Sequence, residues 1–336
     1  TAALEAAEVG YEVYIVEKTP FLGGRVAQLN KYFPKLCPPS CGLEIQFQRI
    51  KKNKNVKFFT QAEVVGVSGK AGDYDVKVKI SPRYTTGNSA DMAALTDELS
   101  GETDNEYDFG LSKRKALYMS APFAFPSRYV LDRDDLSIED ERTLGKNLFV
   151  DFNETEKEVE LNVASIIIAT GWKPYDVTHL SNLGAGELAN CISNMQMERL
   201  ASAFGPTKGD ITRPSDGAKV KNVAFVQCAG SRDQNHLNFC SYICCMASLK
   251  QAVYVREQYP DAEVTIYYID LRTPERYDKF MRKVTADDKI KLVKGKVAGV
   301  ELGDGDDVVV EVEDAVAGTK KKVTHDLVVL ATGMQP

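Results

Sequence analysis

Apolar residues recur along this chain at two periods, and their alternation predicts helix and strand in turn. Thr1–Val9 (TAALEAAEV) has helical spacing and is stopped by Gly10, and Tyr11–Val16 (YEVYIV) is a short strand closed by Glu17. Glu44–Lys54 reads as a basic amphipathic helix. Val56–Thr60 and Ala62–Val67 read as β, and Asp73–Ile80 (DYDVKVKI) alternates as a half-exposed strand. The period is lost over Ser81–Asn153. It returns in a strand over Val159–Ala169 that runs into Ala169-Thr170-Gly171. Asn190–Phe204 reads as a helix carrying Cys191 as a structural residue. Asn222–Arg256 is a buried strand, a short polar loop and a helix. Glu263–Leu271 is a buried strand, Glu275–Lys283 a charged helix, and Lys289–Val300 with Asp306–Val312 a β ribbon. Asp326–Gly333 (DLVVLATG) then repeats the strand-to-ATG pattern.

Helix, glycine, strand and terminal acid form the second half of a βαβ dinucleotide unit. The pattern therefore predicts a strand and a glycine-rich loop ahead of Thr1, and both ends of the sequence read as truncated. Glu17 is the acid expected to accept hydrogen bonds from an adenosine ribose. After five residues comes Gly23-Gly24-Arg25, and this E-x5-G-G-R spacing resembles flavoproteins of the disulfide-reductase type. Paired glycines let backbone approach a bound FAD, and an arginine neutralises pyrophosphate charge. Lys18 and Gln28 flank these positions and join them as candidate contacts. A strand near Val64 is placed to offer backbone to the adenine, and Ala169, Thr170 and Gly171 to lie against the flavin. The expected architecture is α/β, with a Rossmann-type FAD lobe (1–80 and 154–180), a charged insertion (81–153) and a nested, Rossmann-like second lobe (181–336).

The insertion carries acidic stretches at Asp97–Asp108 and Asp132–Glu141 around a basic-aromatic patch; it reads as part solvated linker, part docking surface. Cys37 and Cys41 sit in a Pro-rich loop, Phe33–Gly42. They are small buried residues in a rigid loop or, as the rival reading, part of a second cluster or a redox pair, a role that two thiols support poorly because they do not complete a four-ligand site.

With 42 basic and 48 acidic residues, net −6, the chain has no general surface for nucleic acid or an anionic membrane. Its apolar runs are strand-sized, so direct membrane insertion is not expected. The seven cysteines change the picture more. Four of them, Cys228, Cys240, Cys244 and Cys245, occupy the strand–loop–helix stretch where a nucleotide unit carries glycines. Adjacent Cys244 and Cys245 suit a disulfide framework poorly, so the cluster points to a reducing compartment and to metal chemistry. With Cys240 and Cys244 one helical turn apart and Cys228 at the strand end, four sulfurs can converge near a helix N-terminus, where the dipole favours thiolate. A [4Fe–4S] cluster or a structural zinc ion fits such a set. The spacing C-x11-C-x3-C-C is not a usual zinc frame, which favours the cluster. The turn offers only Gly230 for a pyrophosphate, so direct NAD(P)H reduction is not expected.

EKTPFLGGRVAQLNKYFPKLCPPSC, ATGWKPYD, VQCAGSRDQNHLNFCSYICCMASLKQA, YYIDLRTPERY and DLVVLATGMQP together resemble the A subunit of heterodisulfide reductase (HdrA). Within that family the chain is most similar to the HdrA-like A subunit (QmoA) of the quinone-interacting membrane-bound oxidoreductase complex. The resemblance implies an oxidoreductase subunit that binds FAD and holds a [4Fe–4S] cluster on Cys228, Cys240, Cys244 and Cys245. It further implies a cytoplasmic location, membrane-associated through partners. Those partners are a second HdrA-like flavoprotein, adenylylsulfate reductase as electron partner, and a membrane quinone-binding subunit. Larger HdrA proteins carry a cysteine-rich ferredoxin-like insert after a PRY motif, whereas no cysteine follows Pro82-Arg83-Tyr84 up to Asn153. That difference is what points to the quinone-linked branch. The rival readings are an HdrA-type subunit of a heterodisulfide reductase or bifurcating complex, and a non-catalytic scaffold with zinc at the cysteines.

Overall fold

The computed structural model describes residues 1–33 and 35–336; Pro34, within the Pro-rich loop singled out above, lies outside the described residues. The chain divides into two compact units, Thr1–Thr170 and Gly171–Pro336.

In the first unit, α1 (Ala2–Glu8) buries Leu4 and Ala7, three residues apart on one face. It packs with β1 (Val13–Glu17), α2 (Pro39–Lys52) and β2 (Val56–Thr60) around Leu22, Phe47, Ile50 and Val56. Proline starts α2 at its first turn, and Arg49, Lys51 and Lys52 complement the dipole in its last. β1 and β2 pair in parallel, from Val13 opposite Val56 to Glu17 opposite Thr60. β3 (Ala62–Lys70), β4 (Asp73–Ile80) and β5 (Lys157–Val163) form an antiparallel sheet with Val76 and Val78 inward.

Residues 81–153 fold as a compact body rather than a solvated linker. Met92, Leu95, Leu99, Leu117, Leu131 and Leu144 form its own buried cluster. Asn88 caps α3 (Ser89–Asp97) and Ser137 caps α4 (Ile138–Leu144). Three carboxylates from the two acidic stretches, Glu106, Asp132 and Asp135, converge at 2.8–3.1 Å on the nearly buried Arg114.

The expected strand Val159–Ala169 is shorter in the structure. β5 ends at Val163, and Ile166, Ile167 and Ile168 are exposed. Among the described residues no strand lies beside them to satisfy their backbone.

The second unit is built on a seven-stranded sheet. In chain order its elements are β6 (Cys191–Ser193), α5 (Asn194–Ala201), β7 (Asn222–Ala229), α6 (Cys244–Gln258), β8 (Glu263–Tyr268), α7 (Asp278–Thr285), β9 (Ile290–Leu302), β10 (Val308–Asp314), β11 (Thr319–His325) and β12 (Leu327–Thr332). The spatial order is β6-β12-β7-β8-β9-β10-β11, parallel through β9 and antiparallel beyond. β7-α6-β8-α7-β9 is thus a βαβαβ unit, and β12, buried at every position, reads as a parallel strand covered on both faces. Two expectations are corrected. Cys191 lies on β6, not inside a helix, and α5 starts only after Ser193, whose side chain makes a capping box with Gln196. The ribbon gains a third strand, β11, whose run Lys320-Lys321-Lys322 hides its β period.

His325 closes β11 at 1% exposure. Its Nδ1 lies 2.8 Å from Asn222 Oδ1, an amide whose nitrogen donates to Thr324 O, so Nδ1–H donates and Nε2 accepts from Tyr267 Oη at 2.9 Å. Burial pushes the His325 pKa down to about 4. The folded state therefore holds a neutral ring where the unfolded chain, with a pKa near ~6.5, binds a proton. That stability is complete above about pH 6.5 and is lost as pH falls towards about 4. Denaturant unfolding at pH 7 and pH 5 should differ by about 2 kcal/mol from this residue, and His325→Gln should flatten that dependence. Equal pH profiles for parent and variant would refute the assignment.

Candidate functional site

The C-terminal edge of a parallel sheet is where α/β folds present loops and helix N-termini to ligands. In the second unit that edge is occupied by cysteines. Cys228 lies in β7 at an irregularity between Val226 and Ala229, with φ +58°. Cys244 and Cys245 are the first two residues of α6 and are buried. Cys244 Sγ lies 3.4 Å from Thr332 O at the end of β12, and Cys245 Sγ 3.7 Å from Asp270 O, just past β8. Cys240 does not share a helix face with Cys244, as its spacing predicts; it lies in the turn ahead of α6. There the Tyr242 N–H donates to its sulfur at 3.4 Å. Left-handed backbone at Cys228, Arg232 and Tyr242 costs strain that structures retain mainly at functional loops.

The four thiols are electrostatic neighbours. Burial first, then Cys228, Cys245 and Cys240, push the Cys244 pKa up to about 12. Burial and the Cys245 charge raise Cys228, against the pull of the Arg232 guanidinium that hydrogen-bonds it. Burial also raises Cys245. The expected helix-dipole stabilisation of thiolate is therefore outweighed by desolvation at Cys244 and Cys245. Four thiolates can coexist here only with positive charge among them. Arg232 and Arg272 both pair with Asp270, so their charge is shared between that carboxylate and the sulfurs.

The surroundings fit a metal-sulfur group. Gln227, 6% exposed and next to Cys228, has neither side-chain atom hydrogen-bonded, and the Ser231 hydroxyl is buried and unpartnered. Buried donors left in this way need an acceptor, and sulfur can serve. Among the described residues no three His, Cys, Asp or Glu groups meet at one point as ligands of a single ion do. Behind Cys244 a buried polar chain braces the edge. Asn194 Nδ2 donates to Thr332 O, Gln251 Nε2 donates to Asn194 O, and Gln251 with Lys250 binds the buried Glu198. Gly333 admits no side chain, because a Cβ would come within 2.4 Å of Ser231 Oγ and 2.6 Å of Ser241 Oγ.

In the first unit, the candidate cofactor residues from Glu17 to Gln28 share one loop. Glu17 ends β1 and accepts from Thr19 N at 2.8 Å and Thr19 Oγ1 at 2.9 Å. Lys18 turns outward to Glu63. Gly23 has φ +120° and Gly24 +52°, and a Cβ on Gly24 would meet nothing within 4 Å. That open backbone, ahead of the partly buried Arg25, fits close approach by an anionic cofactor. Burial lowers the Arg25 pKa, and Arg25 Nη1 donates to Gln28 Oε1 at 3.0 Å. Val64 stands half-exposed on β3; Ala169 and Thr170 are exposed outside any strand, and Gly171 opens the second unit. Cys37 is half-buried, Cys41 is exposed near the start of α2, and both are free thiols. Sequence reasoning missed the Gln227 amide and the Asn194–Glu198 brace. The first is masked by its strand, and the second joins positions 50 to 140 residues apart.

A Rossmann-type sheet with thiols at its ligand edge, joined to a βαβ half-unit with a glycine loop, defines the class: a two-dinucleotide-binding-domain α/β oxidoreductase. More particularly, the chain belongs to the HdrA family. It is 37% identical over 340 residues to the A 2 iron-sulfur subunit of the CoB–CoM heterodisulfide reductase of Methanopyrus kandleri, covering all of this chain and 52% of that protein. It is 35% identical over 349 residues to the A subunit of the ferredoxin/F420H2-dependent CoB–CoM heterodisulfide reductase of Methanosarcina acetivorans, covering all of this chain and 43% of that one. The chain thus spans about half the length of the curated relatives it matches. No family model matches it. Solved structures similar to it include the thioredoxin reductases of T. acidophilum (TM-score 0.47, 15% identity, all of this chain and 73% of that one) and Lactococcus lactis (0.48, 12%, all of this chain and 74% of that one).

Gly230 tests how tightly this edge is built. It has φ +70°, and a Cβ would lie 2.6 Å from the Tyr175 ring, which its hydroxyl fixes to His236 Nδ1 at 2.7 Å. Gly230→Ala should destabilise the second unit by about 2 kcal/mol or more through strain and overpacking. A denaturant midpoint equal to the parent's would show the loop to be adaptable.

Proposed function

We propose that this chain is the electron-transfer portion of an HdrA-type subunit, with FAD bound by the first unit and one [4Fe–4S] cluster by Cys228, Cys240, Cys244 and Cys245 in the second. The observation that carries the reading is four coupled thiols at the ligand edge of the parallel sheet, beside an unpartnered buried amide. The name of the M. kandleri relative, an iron-sulfur subunit, supports it. Bound flavin exchanges electrons singly or in pairs and a cluster exchanges one at a time, so together they join two-electron and one-electron partners. The chain's own part is to hold, orient and screen. Glu17 would bind ribose, and Gly23, Gly24 and Arg25 the pyrophosphate, with Lys18, Gln28, Val64, Ala169, Thr170 and Gly171 as further contacts. In the second unit, the Tyr242 N–H and Arg232 temper the charge on the cysteine sulfurs. No side chain is assigned to acid–base chemistry, in keeping with electron transfer rather than hydride transfer to a substrate.

The relatives favour electron delivery to a heterodisulfide over the quinone-linked role, whose partners would be adenylylsulfate reductase, menaquinol and a membrane quinone-binding subunit. The cysteine-free segment 81–153 is the observation behind that second role. Among the described residues no helix is long and apolar enough to cross a membrane, so any membrane contact in either role would come through partners or other segments.

Iron and labile-sulfide analysis with EPR of the intact complex should give the content and signal of a cubane. Cys244→Ser should abolish at least ~90% of that signal while FAD stays bound, because a four-thiolate site loses a ligand. An unchanged spectrum would defeat the ligand assignment, and zinc in place of iron would favour the scaffold reading. Reoxidation of the reduced complex by a heterodisulfide rather than by a quinone analogue would decide between the two partner sets.

A further inference from the structure

The insertion reaches back onto the cofactor loop at Pro20, Phe21, Leu22, Arg25, Ala27 and Gln28. Arg83 sends both terminal nitrogens to Pro20 O, at 2.6 and 3.0 Å. Phe21 is buried among Ala124, Val130 and Tyr118. Leu22 N donates to Phe125 O at 2.7 Å, and the Phe125 ring stacks on Phe47 of α2, with centroids 4.9 Å apart. At the glycine-arginine turn a short segment of the insertion makes three contacts. Tyr107 Oη donates to Ala27 O at 2.7 Å, Tyr107 O accepts from Gln28 Nε2 at 3.1 Å, and the Phe109 ring lies 5.7 Å from the Arg25 guanidinium. Asn105 fixes this segment by accepting from Tyr107 N, and Phe109 caps it in left-handed backbone.

A loop with two glycines at positive φ has little conformational preference of its own. Its shape must be imposed from outside, and these contacts impose it. We propose that Tyr107 and Phe109 are positioning residues for FAD, holding Ala27, Gln28 and Arg25 in the geometry that receives the pyrophosphate. The inference rests on the flavin reading of this loop and adds to it. The insertion becomes part of the flavin site, so a protein that docks on the insertion can alter flavin affinity without touching flavin. Coupling of this kind is reciprocal: FAD must steady the insertion by as much as the insertion steadies FAD.

The test uses the intact holoprotein, stripped of flavin and titrated with FAD. Tyr107→Phe keeps the ring and removes one hydrogen bond, and should weaken FAD binding about fivefold; Phe109→Leu should weaken it by a similar factor. The EPR signal of the second unit should stay unchanged in both, and added FAD should slow amide exchange over residues 105–111 in the parent. FAD affinities equal to the parent's in both variants, or exchange over 105–111 indifferent to FAD, would overturn the proposal while leaving the flavin reading intact. If the parent itself takes up no FAD, the flavin reading fails first and this proposal with it.

Discussion

Thiolates repel one another, and burial amplifies the repulsion. That constraint governs the second unit. Its sheet brings the ends of β12, β7 and β8 together, where burial raises Cys228, Cys244 and Cys245, and the turn before α6 carries Cys240 beside them. Left alone, those three raised thiols stay protonated. On the proposed reading, a multiply charged metal-sulfur group would remove the penalty and would give Gln227 and Ser231, otherwise buried without partners, something to bind.

The first unit meets the opposite difficulty. Its candidate site is formed mainly of backbone, and backbone freed by glycine does not hold a shape. The structure supplies shape through a folded insertion anchored by its own leucine core and by Arg114 among three carboxylates. Rigidity made in the insertion is passed to the loop through Arg83, Tyr107 and Phe125. One unit thus holds its site by local covalent spacing, and the other by tertiary contact across some 80 positions of sequence.

This difference explains what could be read from the sequence. Asp73–Ile80 is legible residue for residue, because its side-chain alternation and its buried Val76 and Val78 coincide. The cysteine site is legible because its ligands lie within one strand–loop–helix stretch. The start of α6 was not: the left-handed Tyr242 keeps Cys240 in a turn that helical spacing would have absorbed. β11 was hidden by lysines on an outer strand, where solvent exposure replaces alternation. The insertion's grip on the glycine-arginine loop has no local signature. Tyr107 and Phe109 are two aromatic residues in an acidic stretch until the fold brings Arg25 and Gln28 beside them.

Cys228 shows how a single fold edge changes ligand. Its backbone, at φ +58°, lies in the left-handed region that glycine enters freely and that costs a side chain about 1–2 kcal/mol. A nucleotide unit uses glycines at this strand-to-helix turn so that backbone can reach a pyrophosphate. Here the chain keeps a glycine-like conformation but carries a thiol in it, and the strain is tolerated because Arg232, Gly230 and the β7 irregularity fix the turn around it. The same backbone geometry that would expose N–H groups to phosphate instead carries a thiol whose electrostatic neighbours are Cys245 and Cys240. If the proposed cluster is held here, exchange of nucleotide for cluster would need no new topology. It would need cysteines in place of glycines, and a cofactor charge large enough to outweigh both the strain and the mutual repulsion of the thiolates.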